Sequence, residues 1–295
     1  MTDTTGRRAD IPVSGGELAT HRLGNARAGS PLVLAIHGIT SNSQAWRAVS
    51  RAVGDRATLA CVDLRGRADS AELPPPFGIP AHVADMVAVL DHLEREQAVV
   101  VGHSLGAYIA AALAVAHPQR IRSLVLVDGG LSIPAARDAD PETFMHAFLG
   151  PTLARLQMDF PSPEAYRAWW AEHPALAGAD VDRADVAAYA DHDLRGPAGK
   201  LRSSVNSEAI GPDGEDVLRA TDAEHLTVPA VLLCAPRGMI DDPNPMQPLE
   251  LVTRWARADS ERRRSLQVPD VNHYTIVLGR RGASAVAAEI VNAVG

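Results

Sequence analysis

The 295-residue chain contains only two cysteines and a single lysine, Lys200. Cys61 and Cys234 both lie inside apolar, strand-like runs where a small buried thiol fits, so we expect two free thiols and no catalytic cysteine. The formal net charge is -8 and no long basic stretch offsets it. The chain therefore lacks the electrostatic footprint of a nucleic-acid-binding protein, and we expect no nucleic-acid partner.

Long apolar runs are also missing. No uninterrupted run reaches the roughly 18 apolar residues that span a bilayer, and the polar residues 1–10 lack the apolar core of a secretion signal. We expect a flexible tail at 1–10, no membrane partner and a soluble, cytoplasmic protein. We also expect no cofactor and no metal, because the chain has no glycine-rich phosphate loop and no His or Cys pair at ligand spacing on one helix. The run Asp191-His192-Asp193 is interpreted as a polar cluster.

Short apolar segments alternate with helical patterns along most of the chain, after a hairpin predicted at 11–23. Strands are predicted at 31–36, 57–63, 98–101, 123–127, 231–235 and 265–268. Helices are predicted at 43–53, 81–96, 105–117, 247–257 and 283–294. Nearly continuous apolar strands are typical of a sheet with both faces covered, and their alternation with helices indicates parallel β-α-β units. The fold class is therefore α/β.

About a hundred residues after Asp128 lack strand signals, far more than a crossover needs. Helical patterns at 141–149, 151–158 and 163–172 each begin with proline, which the first helical turn tolerates. We interpret residues 131–225 as a helical cap, inserted into a core formed by residues 11–130 and 226–295.

The segment Gly102-His103-Ser104-Leu105-Gly106 follows an apolar strand and precedes a small-residue helical stretch. A G-x-S-x-G pattern between strand and helix is typical of a sharp turn that exposes a nucleophilic serine. The helix that follows supplies a positive N-terminal end and free backbone N–H groups, which suit an oxyanion. The pattern predicts Ser104 as a nucleophile.

A serine nucleophile needs a base, and His273 is the best candidate because it lies on a loop between the last predicted strand and the final helix. Loops at the carboxyl ends of parallel strands gather at one edge of the sheet, where Ser104 would also emerge. His103 is expected to pack or hydrogen-bond locally. The loop His37-Gly38-Ile39-Thr40 would place the N–H of Ile39 beside that of Leu105 as an oxyanion hole.

Four motifs in this order resemble the α/β-hydrolase superfamily: His37-Gly38-Ile39-Thr40, the Asp63-to-Ser70 loop, Gly102 to Gly106, and Asn272-His273. The resemblance spans nearly the whole chain and is weakest over the cap. It implies a mostly parallel eight-stranded sheet with helices on both faces, a cap inserted after the sixth strand, and a triad of serine, acid and histidine. Ala68 departs from the glycine usual in the second motif.

The acid of the triad is left open by the sequence. Asp128 ends the sixth strand, 24 residues after Ser104, and we favour it because it needs no insertion. Asp241 and Asp242 follow the seventh strand in a loop that resembles the superfamily's usual acid loop, although the match is displaced by about three residues. Asp241 is the main alternative, and Asp242 is a third.

Serine at position 104 disfavours halide and epoxide chemistry, which in this superfamily uses an aspartate nucleophile. We predict hydrolysis of a carboxylic ester or lactone of a small, largely apolar molecule through an acyl-enzyme. The alternatives are a carbon–carbon bond hydrolase, an acyltransfer or cyclisation enzyme, and a small-molecule receptor on a hydrolase frame. Candidate substrate-binding residues are the cap side chains Met145, Phe148, Trp169 and Trp170. The oligomeric state is not predicted.

Overall fold

A central eight-stranded sheet organises the computed structural model, which describes residues 8–24, 30–132, 140, 143, 150 and 153–295. The strands are β1 (Arg8–Val13), β2 (Gly16–Leu23), β3 (Leu32–Ile36), β4 (Thr58–Val62), β5 (Ala98–His103), β6 (Ile121–Val127), β7 (Leu194–Arg195), β8 (Arg202–Ser203), β9 (Ala230–Cys234) and β10 (Arg263–Gln267). The large sheet has the order β1-β2-β4-β3-β5-β6-β9-β10. Strands β1 and β2 pair antiparallel and the other six run parallel. The predicted mostly parallel eight-stranded sheet is confirmed.

Helices cover both faces of this sheet. The helices of the core are α1 (Arg47–Val53), α2 (Ile79–His92), α3 (Leu105–Ala116), α7 (Leu249–Ala258), α8 (Thr275–Leu278) and α9 (Arg280–Val294). The helices α4 (Pro163–Glu172), α5 (Arg183–Asp193) and α6 (Ile210–Arg219) lie in the chain between β6 and β9. Successive strand residues point to opposite faces: Leu34 belongs to the apolar cluster that includes residues of α2, α3 and α7, whereas Val33 belongs to the cluster that includes residues of α1 and α9. Both faces are therefore apolar, which explains the nearly continuous apolar runs. In the described part of the chain, no helix is long and apolar enough to cross a bilayer.

Two glycines allow β5, α3 and β3 to approach each other closely. A Cβ atom at Gly102 would lie 2.1 Å from the carbonyl oxygen of Gly106, and one at Gly106 would lie 2.1 Å from that of Ile36. No side chain fits at either position, because the contacts are with backbone atoms that other elements hold in place. The two glycines of the G-x-S-x-G pattern are thus required by the turn between β5 and α3.

Residues 153–225, which we call the inserted segment, lie in the chain between β6 and β9. They include α4, whose bounds match the prediction, α5, α6 and the antiparallel pair β7-β8. The helix predicted at 141–149 falls almost entirely outside the described residues, and α5 and α6 were not predicted individually. Two buried ionic groups attach the inserted segment to the core. Asp213 on α6 pairs with Arg67 and with His82, and Arg155 pairs with Asp193 and donates to the Thr40 carbonyl oxygen at 3.0 Å.

The Asp213 contact yields a stability prediction. Arg67, His82 and Asp213 are all fully buried, so Asp213→Ala leaves a buried guanidinium without its carboxylate. We expect the free energy of unfolding to fall by about 3–5 kcal/mol, measured by urea denaturation. Glu215→Ala is the matched control, because Glu215 is an exposed residue of the same helix and its pair with Arg219 lies at the surface. A loss below about 1 kcal/mol for Asp213→Ala would contradict this role.

Candidate active site

Ser104 occupies a strained backbone position between β5 and α3. Its φ of 54° and ψ of -122° lie outside the regions that most residues adopt. Its N–H donates to the Val127 carbonyl oxygen at 3.0 Å, and Ala107 donates back to the Ser104 carbonyl oxygen at 2.9 Å. These bonds hold the turn, and the half-buried serine hydroxyl emerges at the carboxyl edge of the sheet.

His273 lies on the loop between β10 and α8, and its Nδ1 is 2.7 Å from Oδ2 of Asp128. The imidazole is 3% exposed and Asp128 is 1% exposed. Since the carboxylate accepts the hydrogen on Nδ1, Nε2 is left free to accept a proton from another group. Ser104 and His273 line the same cavity.

Asp128 is held by the neighbouring strand. Its Oδ1 accepts a hydrogen bond from the Ala235 N–H at 3.0 Å, and its own N–H donates to the Leu233 carbonyl oxygen at 2.7 Å. The φ of Asp128 is 46°, a left-handed conformation that aspartate tolerates better than most residues. The carboxylate is therefore oriented toward His273 by the end of β9.

The other two predicted acids do not contact the imidazole. Asp241 accepts from the side-chain amide of Asn272 at 2.9 Å, pairs with Arg237 at 2.8 Å and is 38% exposed at its side chain. Asp242 accepts from the Asn244 N–H at 2.9 Å, within its own turn. Of the three candidates, the structure brings Asp128 to His273.

The predicted oxyanion-hole loop is held by His37. Its Nδ1 lies 2.7 Å from the Gly38 carbonyl oxygen, and its Nε2 accepts from the Leu64 N–H at 3.0 Å. Burial lowers the pKa of His37 to about 4, so the ring is neutral and its hydrogen is on Nδ1. Among the described residues, the N–H groups of Ile39 and Leu105 have no backbone acceptor. Both remain available to a bound oxyanion.

His103 makes a long-range contact that local sequence patterns do not reveal. Its Nε2 lies 2.9 Å from the carbonyl oxygen of His273, and the two ring centroids are 4.6 Å apart. Burial lowers the pKa of His103 well below its usual range, so the ring is neutral and donates through Nε2. The residue before Ser104 thus anchors the backbone of His273, which is 170 positions away. The local contact expected for His103 is replaced by this one.

Asn272 organises the loop that carries His273. Its side-chain oxygen accepts from the N–H groups of Tyr274 and Thr275, at 3.0 and 2.9 Å. Its amide nitrogen donates to the Ala175 carbonyl oxygen at 2.9 Å and so connects the loop to the inserted segment. The position of His273 therefore depends on the core and on the inserted segment.

The cavity beside Ser104 has a mostly apolar lining. Its described side chains besides the histidines and Ser104 include Ile39, Ala45, Tyr189, Met239, Tyr274, Val277 and Leu278. Trp170 is 1% exposed and lies behind this lining, with its ring centroid 5.1 Å from that of Tyr189 and 5.9 Å from that of Tyr274. Trp169 packs on His173 at 5.3 Å between centroids. Neither tryptophan lines this cavity, and Met145 and Phe148 lie outside the described residues.

The sheet, the strained serine turn and the imidazole–carboxylate pair at one sheet edge define the class of α/β proteins that carry a serine, acid and histidine set. A family model described as alpha/beta hydrolase fold matches residues 31–197. The chain belongs to the alpha/beta hydrolase fold family.

Curated relatives match over part of their length. Lipase LipV of Mycobacterium tuberculosis is 32% identical over 162 residues, which are 54% of this chain and 59% of that protein. A putative carbamate hydrolase, RutD, of Caulobacter vibrioides is 33% identical over 138 residues, which are 42% of this chain and 51% of that protein. The matches thus span about half of each relative.

Solved structures match over nearly the whole chain. The crystal structure of E-2-(acetamidomethylene)succinate hydrolase has a TM-score of 0.76 and 23% sequence identity, covering 97% of this chain and 98% of that one. A thioesterase domain from the curacin biosynthetic pathway has a TM-score of 0.72 and 17% identity, with the same coverage. At these identities the likeness establishes the fold.

The buried His37 makes stability depend on pH. Its folded-state pKa of about 4 lies below its ordinary value of 6.5, so its contribution is complete above pH 6.5 and is lost as the pH falls toward 4. We expect this histidine to lower the free energy of unfolding by on the order of 3 kcal/mol across that window. Urea denaturation at a series of pH values should show that the free energy of unfolding falls less steeply with decreasing pH in His37→Gln than in the wild type. His225→Gln, at an exposed histidine, is the control. If His37→Gln has the same pH dependence of unfolding as the wild type, the low folded-state pKa of His37 is contradicted.

Proposed function

We propose that this protein is a serine hydrolase that cleaves a carboxylic ester or lactone of a small, largely apolar molecule. Ser104 is the nucleophile, His273 the general base, and Asp128 the acid that orients the base. The observation that carries the proposal is the 2.7 Å contact between Asp128 and His273, whose ring lines one cavity with Ser104. Serine is a weak nucleophile until such a base removes its proton.

The first half-reaction forms the acyl-enzyme. Nε2 of His273 accepts the hydroxyl proton of Ser104 while Oγ attacks the carbonyl carbon of the substrate. The carbonyl oxygen becomes an oxyanion that accepts hydrogen bonds from the N–H groups of Ile39 and Leu105. As the intermediate collapses, the carbon–oxygen bond to the leaving group breaks and His273 donates its proton to the departing alkoxide.

The second half-reaction repeats these steps with water. His273 accepts a proton from water, the resulting hydroxide adds to the acyl carbon, and the second intermediate expels Ser104 Oγ, which regains its proton from His273. The products are a carboxylic acid and an alcohol, or one hydroxy acid from a lactone. Buried Asp128 stabilises the imidazolium in both halves, because little solvent screens the pair.

The described lining of the cavity supports an uncharged substrate. It contains no Lys, Arg, Asp or Glu side chain, and apolar groups such as Met239 and Leu278 dominate it. An ionised group placed there would lose its hydration without gaining a partner. We also propose that residues 131–225 cap this site, since Tyr189 of α5 contributes to the lining.

Cleavage of a carbon–nitrogen acyl bond is a second candidate. It is favoured by the similarity to a protein named as a putative carbamate hydrolase and uses the same acyl-enzyme route. Carbon–carbon bond hydrolysis, acyltransfer or cyclisation, and a binding-only receptor remain the alternatives predicted from the sequence.

A fluorophosphonate probe tests the nucleophile and the base together. We expect covalent labelling at Ser104, located by peptide mass spectrometry, and a burst of p-nitrophenol from a p-nitrophenyl ester. Ser104→Ala abolishes labelling, and His273→Ala and Asp128→Asn each lower kcat by about 10⁴-fold, because the base is lost or its tautomer is wrong. Ser260→Ala, at an exposed serine, is the control.

A panel of ester, amide and carbamate substrates distinguishes ester hydrolysis from cleavage of a carbon–nitrogen acyl bond. Labelling at Ser104 with turnover of amides or carbamates but not of esters would favour the second candidate. Full ester turnover in Ser104→Ala would overturn the proposed nucleophile. Ligand binding without labelling or turnover would favour the receptor alternative.

His103 is a positioning residue for the base. His103→Phe removes the donor to the His273 carbonyl oxygen, so we expect kcat to fall by about tenfold with KM nearly unchanged. His103→Gln keeps an N–H donor near the position of Nε2 and should recover most of the loss. Steady-state kinetics and circular dichroism of both variants make the comparison. A larger loss in folded His103→Gln than in folded His103→Phe would show that ring packing, not the hydrogen bond, matters.

A further inference from the structure

We infer that His21, Asp63, Asp69 and His192 form a zinc-binding site. Each side chain offers one nitrogen or oxygen atom, and the four atoms all lie within 4.8 Å of one another. Two imidazoles and two carboxylates are a donor set that suits a four-coordinate zinc ion. The inference stands apart from the proposed function, because none of these residues lines the cavity beside Ser104.

The four residues come from four places in the fold. His21 is on β2, Asp63 directly follows β4, Asp69 lies in the 3-10 turn Ala68–Ser70, and His192 is in the last turn of α5. His192 belongs to the inserted segment, whereas the other three belong to the core. A bound ion would therefore cross-link the inserted segment to the edge of the sheet.

Three distances between the ligand atoms can be compared with a tetrahedral arrangement, and all of the ligand atoms lie within 4.8 Å of one another. Bonds of about 2.0–2.1 Å to zinc place ligand atoms about 3.3 Å apart. Nε2 of His21 lies 3.2 Å from Oδ2 of Asp63 and 3.4 Å from Oδ2 of Asp69. Nε2 of His192 lies 2.7 Å from Oδ2 of Asp63, a hydrogen-bond distance that has to lengthen when the ion binds.

Asp63 is the centre of the cluster. Its side chain is 0% exposed, and its Oδ1 accepts from the Ser43 N–H at 2.7 Å. Two imidazole nitrogens, from His21 and His192, both approach its other oxygen, Oδ2. To donate there, each nitrogen needs a hydrogen; one zinc ion would replace both hydrogens and bind the same three atoms.

Two arginines next to the proposed site orient the carboxylate of Asp69. Oδ1 of Asp69 pairs with Arg195 at 2.6 Å, and Oδ2 pairs with Arg8 at 2.9 Å. Both arginine side chains are nearly half exposed, at 43% and 45%, so water also solvates them. Hydrogen bonds of this kind to a ligating carboxylate are common around protein metal sites. Asp63 and Asp69 supply two negative charges to Zn²⁺, and Asp69 shares its charge between the ion and the two arginines.

Zinc binding by the untagged, EDTA-treated full chain tests the inference. Equilibrium dialysis against ZnCl₂ should give one bound ion per chain, and Co²⁺ in its place should give the visible absorption of a four-coordinate ion. We expect saturating zinc to raise the unfolding midpoint by about 5 °C. Ser104→Ala protein should bind zinc equally, so the result does not depend on the proposed function.

Histidine variants separate this site from adventitious binding. His21→Ala and His192→Ala should each lose the stoichiometric ion, the cobalt absorption and the rise in midpoint, while His225→Ala, at an exposed histidine, keeps all three. Circular dichroism in EDTA establishes that each variant is folded, and His21→Gln replaces any alanine variant that is not. Absence of stoichiometric zinc from the wild type, or equal binding by the folded His21 and His192 variants, would overturn the site.

Discussion

The hydrogen bond between Asp128 and His273 depends on three neighbouring strands of the sheet, β6, β9 and β10. The two residues are 145 positions apart and follow β6 and β10, which are separated in the sheet by β9. Parallel register places both loops at the same edge, and β9 then orients Asp128 through the N–H of Ala235. A single buried carboxylate can orient the imidazole only because three strands hold it there.

The turn at Ser104 is joined to this pair by backbone and side-chain contacts. The N–H of Ser104 bonds to the end of β6, directly before Asp128, and His103 reaches the carbonyl of His273. Both contacts lie in a buried environment, where hydrogen bonds are strong and unpaired polar groups are costly. The turn at Ser104, Asp128 and His273 are therefore supported by one connected network.

The inserted segment joins the core through polar contacts as well as through apolar packing. Buried charges such as Arg67 and Arg155 lose hydration, and their paired carboxylates offset that loss without a large net gain in stability. Such pairs fix the position of the inserted segment on the core, because displacement of its helices would leave a buried charge without its partner. Asn272 extends this coupling to the loop that carries His273, through its hydrogen bond to the Ala175 carbonyl oxygen.

The sequence by itself determined the α/β class, most strand positions and the turn at Ser104. These features follow from consecutive residues: apolar runs, helical periodicity, and glycine at positions 102 and 106. In the structure, a Cβ atom at either glycine would lie 2.1 Å from a backbone oxygen. Only the tertiary structure decided between Asp128 and Asp241, because both follow strands and differ in what they reach across space. It also brought together His21, Asp63 and His192, which no spacing rule connects. Such contacts depend on strand order and helix placement, which a local pattern does not encode.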